Sequence, residues 1–335
     1  GTPTFRDSLV QLVEDTELNA IIIDIKDFSG GISFPTSNPV LADSVSENCG
    51  ATDMREFVET LHEKEIYVIG RITVFQDPYY TSIHPEQAVQ KKAGGIWKDF
   101  KGLAFVDVGA KPFWDYIVEL GLESYALGFD ELNFDYVRFP SDGPMAEAQY
   151  TYSAGHSKPE ALEEFFKYLT EQLRPTGAVL SADLFGMTAT SEFDLNIGQV
   201  LERALPYFDG VYPMVYPSHY PTGYNGYADV NAHPYEIVKL AMDTAVAREM
   251  ATSTKIAGLA FTPISSASTS SPQLYEKPSY HGKVIPWLQS FDYPVHYTPE
   301  MVRAQIKAAQ DAGIESYLFW DAANKYNSLR QVLSQ

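Results

Sequence analysis

Glu131, Asn133 and Asp135 alternate with Leu132, Phe134 and Tyr136 in the run Gly128-Phe129-Asp130-Glu131-Leu132-Asn133-Phe134-Asp135-Tyr136-Val137-Arg138-Phe139-Pro140. Successive side chains of an extended strand point to opposite faces, so this run sets three polar groups against an apolar back. A second acid, Asp183, ends a run in which Val179, Ser181 and Asp183 share a face, and small Ser181 leaves it room. Two carboxylates across one cleft are what glycosidic cleavage needs. One is protonated and serves the leaving oxygen, while the other attacks the anomeric carbon or activates water. Burial and mutual repulsion drive the two pKa values apart. A separation of about 5–5.5 Å gives retention and about 6.5–9.5 Å inversion. Two such acids also serve as a structural pair, for example with Arg138, or as metal ligands.

Other polar and aromatic residues gather at the ends of apolar runs: Asp24 and Lys26, Arg71 and Asp77, Asp107, Arg138, Tyr216 and His219, Gln289 and Asp292, Trp320 and Asp321. The sequence therefore offers Asp24, Lys26, Arg71, Asp77, Arg138, Tyr216, His219, Trp287, Gln289 and Trp320 as substrate-binding groups. Tyr136, Tyr216, Tyr220, Trp287 and Trp320 have flat faces on which a sugar can stack, or which fill a core. Lys26 is expected to pair with Asp24 or another acid rather than form a Schiff base. His219, His233, His281 and His296 lack the spacing of an HExxH site, and no metal or organic cofactor is expected. There is no GxSxG elbow, and Cys49 is the single cysteine, which excludes an intrachain disulfide.

The elements that must position these groups alternate. Strands are expected at Leu18–Ile25, Ile66–Val74, Leu103–Val108, residues 128–135, Ala178–Leu184, Phe208–Tyr216, Val284–Gln289 and Glu315–Trp320. Helices are expected over residues 5–16, from a Thr52 or Asp53 cap to about Lys64, and over 85–93, 112–126, 159–173, 197–205, 234–249 and 299–312. Eight strands alternating with helices predict an α/β fold, a single (β/α)8 TIM barrel over residues 1–335. It has a long first βα loop at 28–51 and an insertion before strand seven at about 256–282, where Ile256–Phe261 is a further strand candidate. A doubly wound open sheet is the alternative, and the lack of a Gly-rich phosphate loop argues against it.

The hydrophobic share of 45% supports a large core. A formal net charge of −20 argues against nucleic acid and anionic membranes as partners and suits neutral or cationic substrates. No apolar run approaches the roughly 20 residues of a membrane span. Carbohydrate is the expected partner, and the oligomeric state is left open.

Several blocks together resemble one bacterial glycoside hydrolase family, assigned from its fold and filed as a domain of unknown function. They are Asn19-Ala20 through Asp24-Ile25-Lys26-Asp27, Arg71 through Pro78, Gly128 through Gly143, Ser181 through Gly186, Pro213 through Tyr220, and Pro286 through Tyr293. The resemblance implies a TIM barrel related to the alpha-amylase and alpha-galactosidase type barrels. It implies a nucleophile at the end of strand four, which falls on Asp135, and a proton donor at the end of strand five or six; strand five offers Asp183, although those barrels often use Glu there, and strand six offers only Tyr216 and His219. A secreted or cell-surface enzyme is the expectation, its signal segment not part of this sequence. A carbohydrate-binding barrel without catalysis and a metal-dependent hydrolase on the same scaffold are the rival readings.

Overall fold

A computed structural model of the chain describes residues 3–46, 51–260 and 282–333. Its elements in order are α1 (Pro3–Glu14), β1 (Ala20–Lys26), α2 (Met54–Glu63), β2 (Tyr67–Thr73), α3 (Pro78–Ile83), β3 (Gln90–Lys91), α4 (Lys111–Leu127), β4 (Glu131–Asp135), β5 (Ala148–Gln149), α5 (Lys158–Leu173), β6 (Val179–Phe185), α6 (Leu201–Ala204), β7 (Gly210–Met214), α7 (Pro234–Ala260), β8 (Trp287–Gln289), α8 (Pro299–Asp311), β9 (Leu318–Trp320) and α9 (Asn327–Leu333). Seven strands form one curled parallel sheet in the order β1-β2-β4-β6-β7-β8-β9.

Local chemistry explains several of these boundaries. Ser157 and Glu160 form a reciprocal capping box at the start of α5, where Pro159 suits the first turn. The Asp77 carboxylate caps α3 by accepting from the backbone N–H of Tyr80 at 2.7 Å. α4 ends at Gly128, whose φ of 112° is open to glycine at little cost. Leu132 and Phe134 on the back of β4, with Phe113, Phe165, Leu169 and Phe208, belong to one continuous core between sheet and helices. Each such side chain contributes about 1.5–3 kcal/mol of burial.

Four expectations are corrected. Leu103–Val108 is not a barrel strand, because β2 pairs directly with β4. Residues 104–106 instead make isolated antiparallel bridges to Lys98, Gln76 and Ala88. The apolar side chains that suggested a strand are divided: Phe105 joins a small separate core with Val89, Trp97 and Ala148, while Val106 and Val108 pack into the main core. The stretch 85–93 is a short turn of 3-10 helix followed by β3, which pairs with β5, rather than a helix. The strand proposed at Ile256–Phe261 is helix as far as Ala260, and the remainder of the proposed insertion up to His281 lies outside the described residues, as does Cys49. Asp53 precedes α2 without capping it, because its carboxylate is taken up by Arg6 at 2.5 and 3.1 Å.

The two edge strands, β1 and β9, are separated by a cavity of about 510 Å³, lined by Ile21, Ile23, Leu318 and Phe319 among others. Among the described residues the sheet is therefore a curl of seven strands, not eight.

Candidate active site

Arg71 organises the carboxyl end of the sheet. Register places it beside Asp24 on β1 and Asn133 on β4. Its Nη1 donates to Asp24 Oδ1 at 2.7 Å, its Nη2 donates to Asp135 Oδ2, and its Nε lies 3.7 Å from Asp183 Oδ2. The guanidinium also lies over the ring of Trp320, 5.1 Å from its centroid. Burial by itself disfavours this cation, but Asp135, Asp24 and Asp183 outweigh it and hold the guanidinium well above its ordinary value. One cation thus gathers three acids contributed by three strands.

Asp183 is 1% exposed. Its Oδ1 accepts from Asn133 Nδ2 at 3.0 Å and from Trp287 Nε1 at 2.8 Å. Burial first, and then the charge of Asp135, push its carboxyl well above the usual carboxylate range, against the opposing pull of Arg71, Asn133 and Trp287. Asp135 closes β4, and its Oδ1 accepts from the backbone N–H of Tyr136 at 2.5 Å. Tyr136 has a φ of 52°, a left-handed conformation unusual for a non-glycine residue and frequent at functional sites. The chain thus turns sharply as it leaves the strand.

Behind the pair, Glu131 is buried and accepts from Ser181 Oγ at 2.5 Å, Tyr212 Oη at 2.8 Å and Tyr67 Oη at 3.2 Å. Burial raises its carboxyl despite these three donors. Ser181 Oγ also accepts from Asn133 Nδ2 at 3.0 Å, so a hydrogen-bonded chain runs from Glu131 through Ser181 and Asn133 to Asp183. Strand alternation brought Glu131, Asn133 and Ser181 to notice. That Asn133 and Ser181 would sit side by side and support Asp183 follows from the β4–β6 register, which no local pattern reveals.

The structure distributes the other sequence candidates unequally. Asp24, Arg71 and Trp320 stand at the carboxylate pair. Lys26 and Asp77 do not, because both are fully buried and pair with each other at 2.8 Å, with Lys26 Nζ also donating to the Thr73 carbonyl at 2.6 Å. They tie the first βα loop to the second rather than facing a cleft. Arg138 leaves Asp135 to Arg71 and instead lies over the Tyr136 ring at 5.2 Å while donating to the Phe139 carbonyl at 3.1 Å. Trp287 is buried and serves Asp183 through its indole N–H, so it is not an open stacking face. Tyr216 and Tyr220 are buried as well. Gln289 is fully buried and bonds to loop backbone, while His219 is exposed beside Tyr216, with ring centroids 5.3 Å apart. Although one side of it is open to solvent, packing against Tyr216 and Phe291 partly desolvates the His219 imidazole and lowers its pKa below the ordinary value.

Among the described residues no group of three His, Cys, Asp or Glu side chains is arranged to hold a metal ion. At the three clustered aspartates the cation is the Arg71 guanidinium.

A family described as "Putative glycosyl hydrolase domain" matches residues 1–326. No curated protein matches the chain. Among solved structures, a hypothetical protein from Ruminiclostridium thermocellum ATCC 27405 is 34% identical, with a TM-score of 0.50, over 55% of this chain and 92% of that one. The PgaB (BpsB) glycoside hydrolase domain from Bordetella bronchiseptica is similar in fold, with a TM-score of 0.61 at 15% identity, over 98% of this chain and 92% of that one. The alpha-L-fucosidase isoenzyme 2 from Paenibacillus thiaminolyticus gives a TM-score of 0.60 at 13% identity, over 98% of this chain and 45% of that one.

Proposed function

The chain belongs to the family described as "Putative glycosyl hydrolase domain", and on that premise we propose that it cleaves glycosidic bonds with Asp183 as general acid and Asp135 as nucleophile or base. The observation that carries this reading is the pair itself. Two carboxylates on neighbouring strands share one arginine, and Asp183 is driven toward its protonated form by burial and by the charge of Asp135. A carboxyl held neutral can give its proton to the leaving glycosidic oxygen. Asp135, in contact with the Arg71 cation, supplies the negative charge that either bonds to the anomeric carbon or takes a proton from the attacking water. Asp24 and Trp320, joined to the pair through Arg71, are assigned to the sugar.

In this reading residues 1–335 act as one unit, and the curled sheet is a TIM-type barrel interrupted at the β1–β9 seam. The contact of Arg71 on β2 with Trp320 on β9 supports that closure. The substrate is an oligosaccharide or polysaccharide, and the enzyme works at the cell surface or after secretion, where such polymers are met. The test is release of new reducing ends from a panel of bacterial and host glycans by wild type, Asp135→Asn and Asp183→Asn. Wild type is expected to release them, and each variant to lose about 10²- to 10⁴-fold. Turnover that persists in both variants would overturn the assignment. Wild-type protein that binds a glycan without cleaving it would leave a binding barrel.

A further inference from the structure

The loops after β7 and β8 bring a group of aromatic rings together beside the carboxylates. Tyr216 is its buried base, with the fields of Asp183 and Asp135 acting on its hydroxyl. Above it, the His219 ring centroid lies 5.3 Å from that of Tyr216, 5.9 Å from Phe291 and 6.3 Å from Tyr293. Phe291 also packs edge-on to Tyr216 at 5.4 Å. His219 is exposed, Phe291 is half-buried, and Tyr293 is 59% exposed. The two loops are not joined by their aromatic contacts alone. Gln289 Oε1 accepts from the Ser218 N–H at 3.3 Å, and its Nε2 donates to the carbonyls of Phe291 at 3.1 Å and Tyr293 at 3.2 Å. Gln289 is in turn fixed by Gln305, which accepts from its backbone N–H and donates to its backbone carbonyl, each at 2.9 Å. A fully buried amide therefore holds an aromatic surface in place, and preorganising such a surface saves the ordering cost at the moment of binding.

We propose that His219, Phe291 and Tyr293 form a glycan-binding subsite beside the Asp135–Asp183 pair, on which a pyranose ring away from the scissile bond stacks, and that Gln289 is the positioning residue that fixes it. The apolar C–H face of a pyranose matches a flat ring, while the Tyr293 hydroxyl and the His219 imidazole can hydrogen-bond its rim. This subsite rests on the glycosidase reading for the sugar nature of its ligand, and it deepens that reading by requiring a chain of several sugar units rather than a single terminal residue.

The experiment is affinity electrophoresis of the Asp183→Asn protein in native gels containing hydroxyethyl cellulose, glycol chitin, arabinoxylan, galactomannan or dextran, with turnover measured separately on the unmodified background. Retardation by at least one glycan, weakened about five-fold or more by Tyr293→Ala and by His219→Ala, is the expected result. Gln289→Ala, which removes no ring, should reproduce that loss. In the active protein, Tyr293→Ala should raise KM for the polymer by a larger factor than it lowers kcat, and should cost more on the polymer than on a disaccharide. Retardation unchanged in Tyr293→Ala and His219→Ala, or retardation by none of the five glycans, would overturn the subsite. Failure of the glycosidase reading shows differently, as no turnover in the wild type while Tyr293-dependent retardation persists.

Discussion

At the scale of single residues, function and stability compete at Asp183. Its folded-state pKa lies above the unfolded value near 3.9. Between these two values the folded protein binds more protons than the unfolded chain, so this group's contribution to stability falls as pH rises. Asp183→Asn removes that dependence. Its melting temperature relative to wild type should therefore rise between pH 4 and pH 7, and a gap that stays constant would contradict the burial argument. Trp287→Phe keeps a ring in the core but removes the 2.8 Å donor to Asp183. With that stabilisation of the carboxylate gone, Asp183 should hold its proton more tightly. The alkaline limb of the pH profile of kcat/KM should move to higher pH, a shift that loss of packing alone does not produce. The inward face of Glu131, Asn133 and Asp135 was legible because a period of two is a local property. The partner of Asp135 was not, since Arg138 is close in sequence whereas Arg71 is close only once β2 lies beside β4.

At the scale of elements, the site depends on how closely the strands approach. Gly186 follows β6, and a Cβ there would come within 2.2 Å of the Met214 carbonyl oxygen at the end of β7. The obstacle is backbone, so the two strands would have to part. Gly186→Ala should destabilise the protein by about 1–3 kcal/mol, read from denaturant unfolding, and should lower activity by disturbing Asp183 three residues away. A variant as stable and as active as wild type would show that this approach is unimportant. The same scale explains what the sequence reading missed. Leu103–Val108 has a strand's composition, but Phe105 joins the small core with Trp97 while Val106 and Val108 join the main core, and no local pattern says which partner an apolar run will find. The strands Ala20–Lys26 and Val179–Phe185 were readable because β-branched and apolar residues gather in Ala20–Ile23 and because Leu180, Ala182 and Leu184 alternate with Ser181 and Asp183. The five-residue overlap with helix at 256–260 was ambiguous because short apolar runs carry no clear period.

At the scale of the whole molecule, net charge and exposed aromatics describe what the protein meets. The charge of −20 sets a negative field that repels polyanions. Exposed Phe28, Tyr79, Phe193 and Tyr293 all lie in segments that follow strands of the sheet, on the side where Asp135 and Asp183 stand. Because Arg71 is the cation at the three aspartates, hydrolysis should be unchanged by EDTA, and loss of activity restored by a divalent metal would favour a metal-dependent hydrolase instead. The central claim is that Asp135 and Asp183 divide attack and protonation between them. Its most direct test is kcat/KM for aryl glycosides of the released sugar with poor and with good leaving groups, in wild type, Asp183→Asn and Asp135→Asn. A good leaving group departs without a proton. Asp183→Asn should therefore be nearly as fast as wild type on a dinitrophenyl glycoside and slow on a poor leaving group, while Asp135→Asn should be slow on both. Equal losses for Asp183→Asn on both substrates, or no loss for Asp135→Asn on either, would contradict the account.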